Sequence, residues 1–139
     1  MNDLDYVQSV IAPWIDKWID QGENSLTSFE TIGVGVWVLE VEVDNGGFHQ
    51  YYSNSTGYFA GATVDALRAI GAGNTARLLA AANAEFPGAV PPTDRARRQD
   101  LLGKIDAARF TALEKEFYQR TENLCSLLAL HLRANEHVS

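Results

Sequence analysis

Apolar residues recur at helical spacing along most of the chain. Val7, Val10, Ile11, Trp14, Ile15 and Trp18 follow one another at three- and four-residue steps. They predict an amphipathic helix over Leu4 to Ile19, ended by Gln21-Gly22. Thr27 or Ser28 can cap the next segment, and Glu30 stands where a capping box with Thr27 needs it. From Phe29 to Val43 the pattern supports two readings. Val34, Val36, Val38, Val41 and Val43 are β-branched, and Val41-Glu42-Val43 alternates as a strand does. Phe29, Ile32, Val36, Leu39 and Val43 also form one helical stripe, and the run is long for a strand. We read it as a buried helix.

The rest of the chain is punctuated by glycine, proline and capping residues. Asn45-Gly46-Gly47 stops the second helix, because glycine adopts the left-handed conformation a helix end requires. Phe48 to Tyr52 is a short aromatic element of one or two turns, and Asn54 to Gly57 is a turn. A helix over Tyr58 to Ile70 ends at Gly71, and Asn74 caps an alanine-rich helix over Thr75 to Phe86. Pro87-Gly88 and Pro91-Pro92 make a rigid connector, after which Asp94 caps a short helix through Leu102. A last helix runs from Asp106 to His131, with Phe110, Leu113, Phe117, Leu124 and Leu128 on one face. Six or seven helices without a convincing sheet predict an all-α fold, a compact single-domain helical bundle.

Composition fits that expectation. The chain has 139 residues, 46% of them apolar, which suits one domain spanning 1-139 with a substantial core. Cys125 is the single cysteine, so no internal disulfide forms and a reducing compartment is accommodated. Met1 to Tyr6 is acidic and polar, unlike the start of a secretory leader. The longest apolar stretch, around Val34 to Leu39, is far shorter than a membrane span. We expect a cytoplasmic protein without membrane partners.

Charge changes the picture more. The net charge is −7, and it is unevenly placed. Residues 1–60 carry nine of the 18 acidic residues against Lys17 alone, while residues 61–139 are nearly balanced. Such a first half repels nucleic acid and attracts basic partners, although acidity also serves solubility.

Candidate chemistry is sparse. His49, His131 and His137 have no metal-ligand spacing with one another or with Cys125, so no metal or other cofactor is expected. Cys125 lies among Leu124, Leu127 and Leu128 and reads as a core thiol. His131 reads as a satisfied helix residue and His137 as a frayed tail. His49, near Asp44 and Tyr51, is the one candidate for acid–base work, but no nucleophile accompanies it. We therefore expect no catalytic residues. Arg95, Arg97 and Arg98 are flanked by Asp94 and Asp100, which reads as a solvated helix face rather than a nucleic-acid patch. The segment from Glu42 to Asn54 is the most distinctive. Its aromatics either form a binding surface or fill the core behind a helix-breaking corner, and burial is the reading we favour.

Together these motifs resemble a bacterial family of domains of unknown function that includes a DNA mimic protein. The resemblance rests on Glu42, Asn45-Gly46-Gly47-Phe48, Gln50, Tyr51 and Asn54. It continues through Ala66-Leu67, Ile70-Gly71-Ala72, Leu78 to Pro87, Pro91, Asp94 and Arg98, and on to Phe110, Leu113, Phe117, Tyr118, Glu122 and Leu124. It spans about residues 4 to 132 and implies an all-α, DNA-mimic-protein-like domain that can form a homodimer. It also implies mimicry, in which carboxylates imitate DNA phosphates and occupy the basic face of a DNA-binding regulator. The shared motif residues look architectural and do not themselves carry that activity. The acidic candidates are Asp16, Asp20, Glu23, Glu30, Glu40, Glu42 and Asp44, although Glu40 and Glu42 lie about 200° apart on a helix.

The expected function is therefore that of a non-enzymatic acidic protein-binding domain. Its partner would be a basic protein, such as a DNA-binding regulator, with no direct contact to nucleic acid. Two other readings stand beside it. An immunity-type protein that neutralises a toxin would use similar electrostatics. An enzyme would have to rely on His49.

Overall fold

A computed structural model describes residues 1–136. Seven α-helices carry the described chain, and no strand occurs among the described residues: α1 Asp3–Gln21, α2 Ser28–Ser53, α3 Ala60–Ala69, α4 Gly73–Asn83, α5 Arg95–Leu102, α6 Thr111–Tyr118 and α7 Leu124–Ala134. Short 3₁₀ turns at Glu23–Ser25, Ser55–Phe59, Pro87–Ala89 and Ala107–Phe110 complete the path. The all-α expectation holds, including the helical reading of the valine-rich run. His137 lies outside the described residues.

Helix α2 is the axis of the fold and packs against α1, α3, α5, α6 and α7. It begins with the expected capping box. Thr27 Oγ1 accepts from the Glu30 amide at 3.2 Å, and Glu30 Oε1 accepts from the Thr27 amide at 2.9 Å. Val34, Val36, Val38, Leu39 and Val43 are all buried, because neighbours cover α2 on several sides. This explains why its pattern read as both strand and helix: burial on many faces erases the period of 3.6. At Gly33, α1 crosses so closely that a β-carbon would lie 2.6 Å from Ile11 Cδ1. Helix α1 buries Val7 and Ile11 and tolerates Pro13 on its exposed side, and Asn2 caps its start.

Four expectations are corrected. First, Asn45-Gly46-Gly47 kinks α2 rather than stopping it. The chain resumes as helix through Ser53, with non-helical dihedrals confined to Gly46 and Gly47. Second, the helix expected from Asp106 to His131 is three pieces: the 3₁₀ turn, α6 and α7. The break falls on Gln119 to Asn123, a stretch with no apolar residue to bury, and Asn123 caps α7 by accepting from the Ser126 amide at 3.0 Å. Third, Asn74 does not cap the fourth helix. The N-cap position is Ala72, which has no capping side chain. Glu122 serves instead, accepting from the amides of Asn74 at 3.0 Å and Thr75 at 2.7 Å. Fourth, the helix expected from Tyr58 starts at Ala60, the preceding residues being wound as a 3₁₀ turn.

Candidate acidic interaction surface

The Glu42 to Asn54 segment is an architectural joint. Phe48, Tyr51 and Tyr52 are fully buried, with Phe48 against Phe110 and Phe117 and Tyr52 against Phe86. In an unbroken α-helix the Phe48 amide would donate to residue 44 and the Val43 carbonyl would accept from residue 47. The kink disrupts this ladder, and α6 supplies both substitutes. Glu114 Oε2 accepts from the Phe48 amide at 2.8 Å, and the Tyr118 hydroxyl donates to the Val43 carbonyl at 2.7 Å. Glu114 and Tyr118 are four residues apart, so one face of α6 clasps the joint. Gly47 has φ +75°, and a β-carbon there would collide with the Glu114 carboxylate. Gly46 lies under Gln50, and Asn45 is exposed. The Tyr51 hydroxyl is buried without a hydrogen bond of good geometry. Burial raises its pKa, partly offset by the neighbouring Thr63 hydroxyl.

Arg98 corrects the reading of the arginine cluster. It is fully buried, not solvated. Its Nε donates to the Tyr52 carbonyl at 2.7 Å and its Nη2 to that of Asn54 at 2.8 Å, while Nη1 reaches the carbonyls of Pro92 and Thr93. Arg95 and Gln99 both donate to the Ser53 carbonyl. The end of α2 has no basic residue of its own, so α5 supplies the donors for its last carbonyls.

The seven acidic candidates fall into two groups. Glu30 is buried, with 8% of its surface exposed, and pairs with Lys17 at 2.6 Å. Burial pushes its carboxyl up, but Lys17 and Thr27 together hold it below the ordinary range. Asp44 pairs with Arg120 at 2.9 Å, and Glu40 lies 3.7 Å from the same guanidinium. Burial and the Asp44 charge raise the Glu40 carboxyl despite Arg120. Glu42 accepts from Asn54 Nδ2 at 2.7 Å. These four are occupied by the fold.

Asp16, Asp20 and Glu23 differ. All three are exposed at the C-terminal end of α1 and in the turn after it, and none joins an ion pair among the described residues. Glu23 acts electrostatically on the buried Arg98. The last turn of α1 holds no basic residue to balance them.

His49 is exposed on the second limb of α2. Asp44, its expected partner, is engaged by Arg120 instead. Cys125 is only half-buried at the edge of the core, and burial raises its thiol pKa. His131 stacks on Phe29, as a satisfied helix residue would. No group of three or more metal-ligating side chains occurs among the described residues, and no described helix is long and apolar enough to cross a membrane. Sequence reasoning missed Glu114 altogether, and it named Tyr118, Glu122 and Arg98 in the family resemblance without the partners they hold. Only the apolar gap at Gln119 to Asn123 signalled locally that the last helix would break.

No curated protein and no solved structure matches the chain. A family model described as DMP19-like protein matches residues 24–135. Helix α1 lies outside that span, and with it Asp16, Asp20 and, by one residue, Glu23. The α2 joint, its clasp from α6 and the Arg98 anchor all fall inside. On a match over most of its length, the chain belongs to the DMP19-like protein family.

Proposed function

We propose that this protein is a non-enzymatic acidic binding domain. Asp16, Asp20 and Glu23 present DNA-like charge to the basic, DNA-binding face of a protein partner. The observation that carries this reading is that none of the three joins an ion pair among the described residues. Asp16 and Asp20 stand about 6 Å apart along the α1 axis, and Glu23 follows beyond the helix end. That step is close to two phosphate steps of one DNA strand, at about 3.4 Å each along its axis. Membership of a family named for a DNA mimic supports mimicry as the activity, while the three acids precede the matched residues 24–135.

The placement of these acids also argues against a purely structural role. Asp16 and Asp20 stand four residues apart, where like charges repel by about 0.2–0.5 kcal/mol. Asp20 also sits in the last turn of α1, at the negative end of the helix dipole, where an anion costs about 0.3–1 kcal/mol. A fold-serving acid belongs at the opposite end, where Asp3 and Asp5 stand.

The test is capture from lysate at low and high salt, using the native chain and an Asp16→Asn, Asp20→Asn, Glu23→Gln variant. Basic partners should bind the native chain, dissociate with salt, be displaced by duplex DNA and fail to bind the variant. Equal recovery by both chains would refute the reading.

A further inference from the structure

We propose that the end of α1 is a docking groove for a basic protein segment that carries a bulky apolar side chain between Lys or Arg residues. The inference rests on the acidic-surface reading and adds a contact that charge alone does not supply. Trp18, Ile19, Gly22, Glu23 and Ser55 line an open groove of about 270 Å³. The floor is the half-buried Trp18, whose ring leans on Phe59 at 5.0 Å. One wall is Ile19, which remains 67% exposed.

The rim identifies the occupant. Glu23 lines the groove, while Asp16 and Asp20 stand beside it on α1, one turn before Ile19 and next to it in sequence. An uncharged apolar ligand would leave the Glu23 carboxylate at its flank, and Asp16 and Asp20 beside the groove, without cationic partners. A plain polycation would leave Ile19 and Trp18 wet. A segment with one apolar side chain between cations satisfies both, the arrangement found where an apolar centre is ringed by polar contacts. On the far side of the groove Arg95 and Arg98 hold the end of α2. The cations of the occupant therefore belong on the α1 side, against Asp16 and Asp20.

The probe is a pair of synthetic peptides with equal Lys and Arg content, one with a central leucine and one with alanine in its place. Each is titrated into the full chain at low and physiological salt and followed by NMR shifts. The leucine peptide should bind about tenfold more tightly, a modest share of what burying a leucine can supply. Salt should weaken both peptides and leave that ratio intact. Ile19→Ser should abolish the ratio without changing the affinity of the alanine peptide, and it should leave the fold intact because Ile19 is exposed.

Equal binding of the two peptides, or a preference that survives Ile19→Ser, overturns the groove and leaves the acidic-surface reading standing. A leucine preference that persists when Asp16, Asp20 and Glu23 are neutralised, with no loss for either peptide, overturns the acidic reading instead. Failure of both peptides to bind overturns the groove. If the chain then self-associates on sedimentation in a manner that Ile19→Ser abolishes, the occupant is a second copy of this chain.

Discussion

Glu114 Oε2 accepts a hydrogen bond from the Phe48 amide at 2.8 Å, across 66 residues of sequence. The contact repairs the α2 ladder where Gly46 and Gly47 break it. It also explains why position 47 must be glycine on two counts, its positive φ and the approach of the Glu114 carboxylate.

Glu114→Ala should strand a partly buried amide and cost about 1–3 kcal/mol in urea unfolding. Glu114→Gln keeps an acceptor oxygen and should cost less. Gly47→Ala should be destabilising by a similar amount or more, through backbone strain and collision together. The two alanine substitutions should combine less than additively, because each disrupts the same joint.

Arg98→Met should be among the most destabilising single changes available. It removes donors from four carbonyls, two of them at the buried end of α2. A loss of about 3–5 kcal/mol is expected, read as a large fall in Tm. Arg98→Lys should not restore stability, because an ammonium cannot reproduce the planar fork that spans these acceptors.

Acid unfolding should report Glu30 and Glu122. Burial raises the Glu122 carboxyl, but Thr75 and the Asn74 amide outweigh it and hold the group below its ordinary 4.5. Glu30 is lowered in the same sense. A carboxyl depressed in the folded state stabilises above its unfolded pKa, and that stability is lost as pH falls through the folded value. Stability should therefore decline as pH drops from about 4.5 downward. Glu122→Gln should flatten that decline in denaturation curves taken at successive pH values. Glu40 is raised, so its sign and window are opposite: its contribution is fully present below about pH 4.5 and is lost as pH rises through its folded value, and Glu40→Gln should remove that loss above pH 4.5.

Asp16→Asn with Asp20→Asn should stabilise the protein while weakening its partner. Removing the repulsion and the opposed dipole should raise unfolding free energy by about 0.5–1.5 kcal/mol at low salt, and by less at high salt. A gain in stability paired with lost binding is the signature of residues kept for function. Unchanged stability at low salt would refute the electrostatic account.

How much of this was legible in the sequence depended on whether the signal was local. The α1 stripe, the Thr27–Glu30 box, the Asp94 cap and the turn at Gly71 follow from neighbours within four residues, and each is found as read. Buried α2 was harder, since neighbours on several sides leave no polar face to mark its period. The arginine cluster misled because Asp94 and Asp100 are close in sequence, while the carbonyls that hold Arg98 are brought there by folding.

By itself the sequence determined the helical class, the starts of α1, α2 and α5, and the acidity of the first half. These arise from propensity, short-range capping and composition, which need no tertiary partner. Only the tertiary structure decided which carboxylates are free. Glu30, Glu40, Glu42 and Asp44 are engaged by Lys17, Arg120 and Asn54, whereas Asp16, Asp20 and Glu23 join no ion pair among the described residues. It likewise decided that the double glycine bends α2 instead of ending it, because the replacement hydrogen bonds come from α6, far along the chain. A charge or a glycine can be read in one dimension, but its partner exists only once the chain has folded.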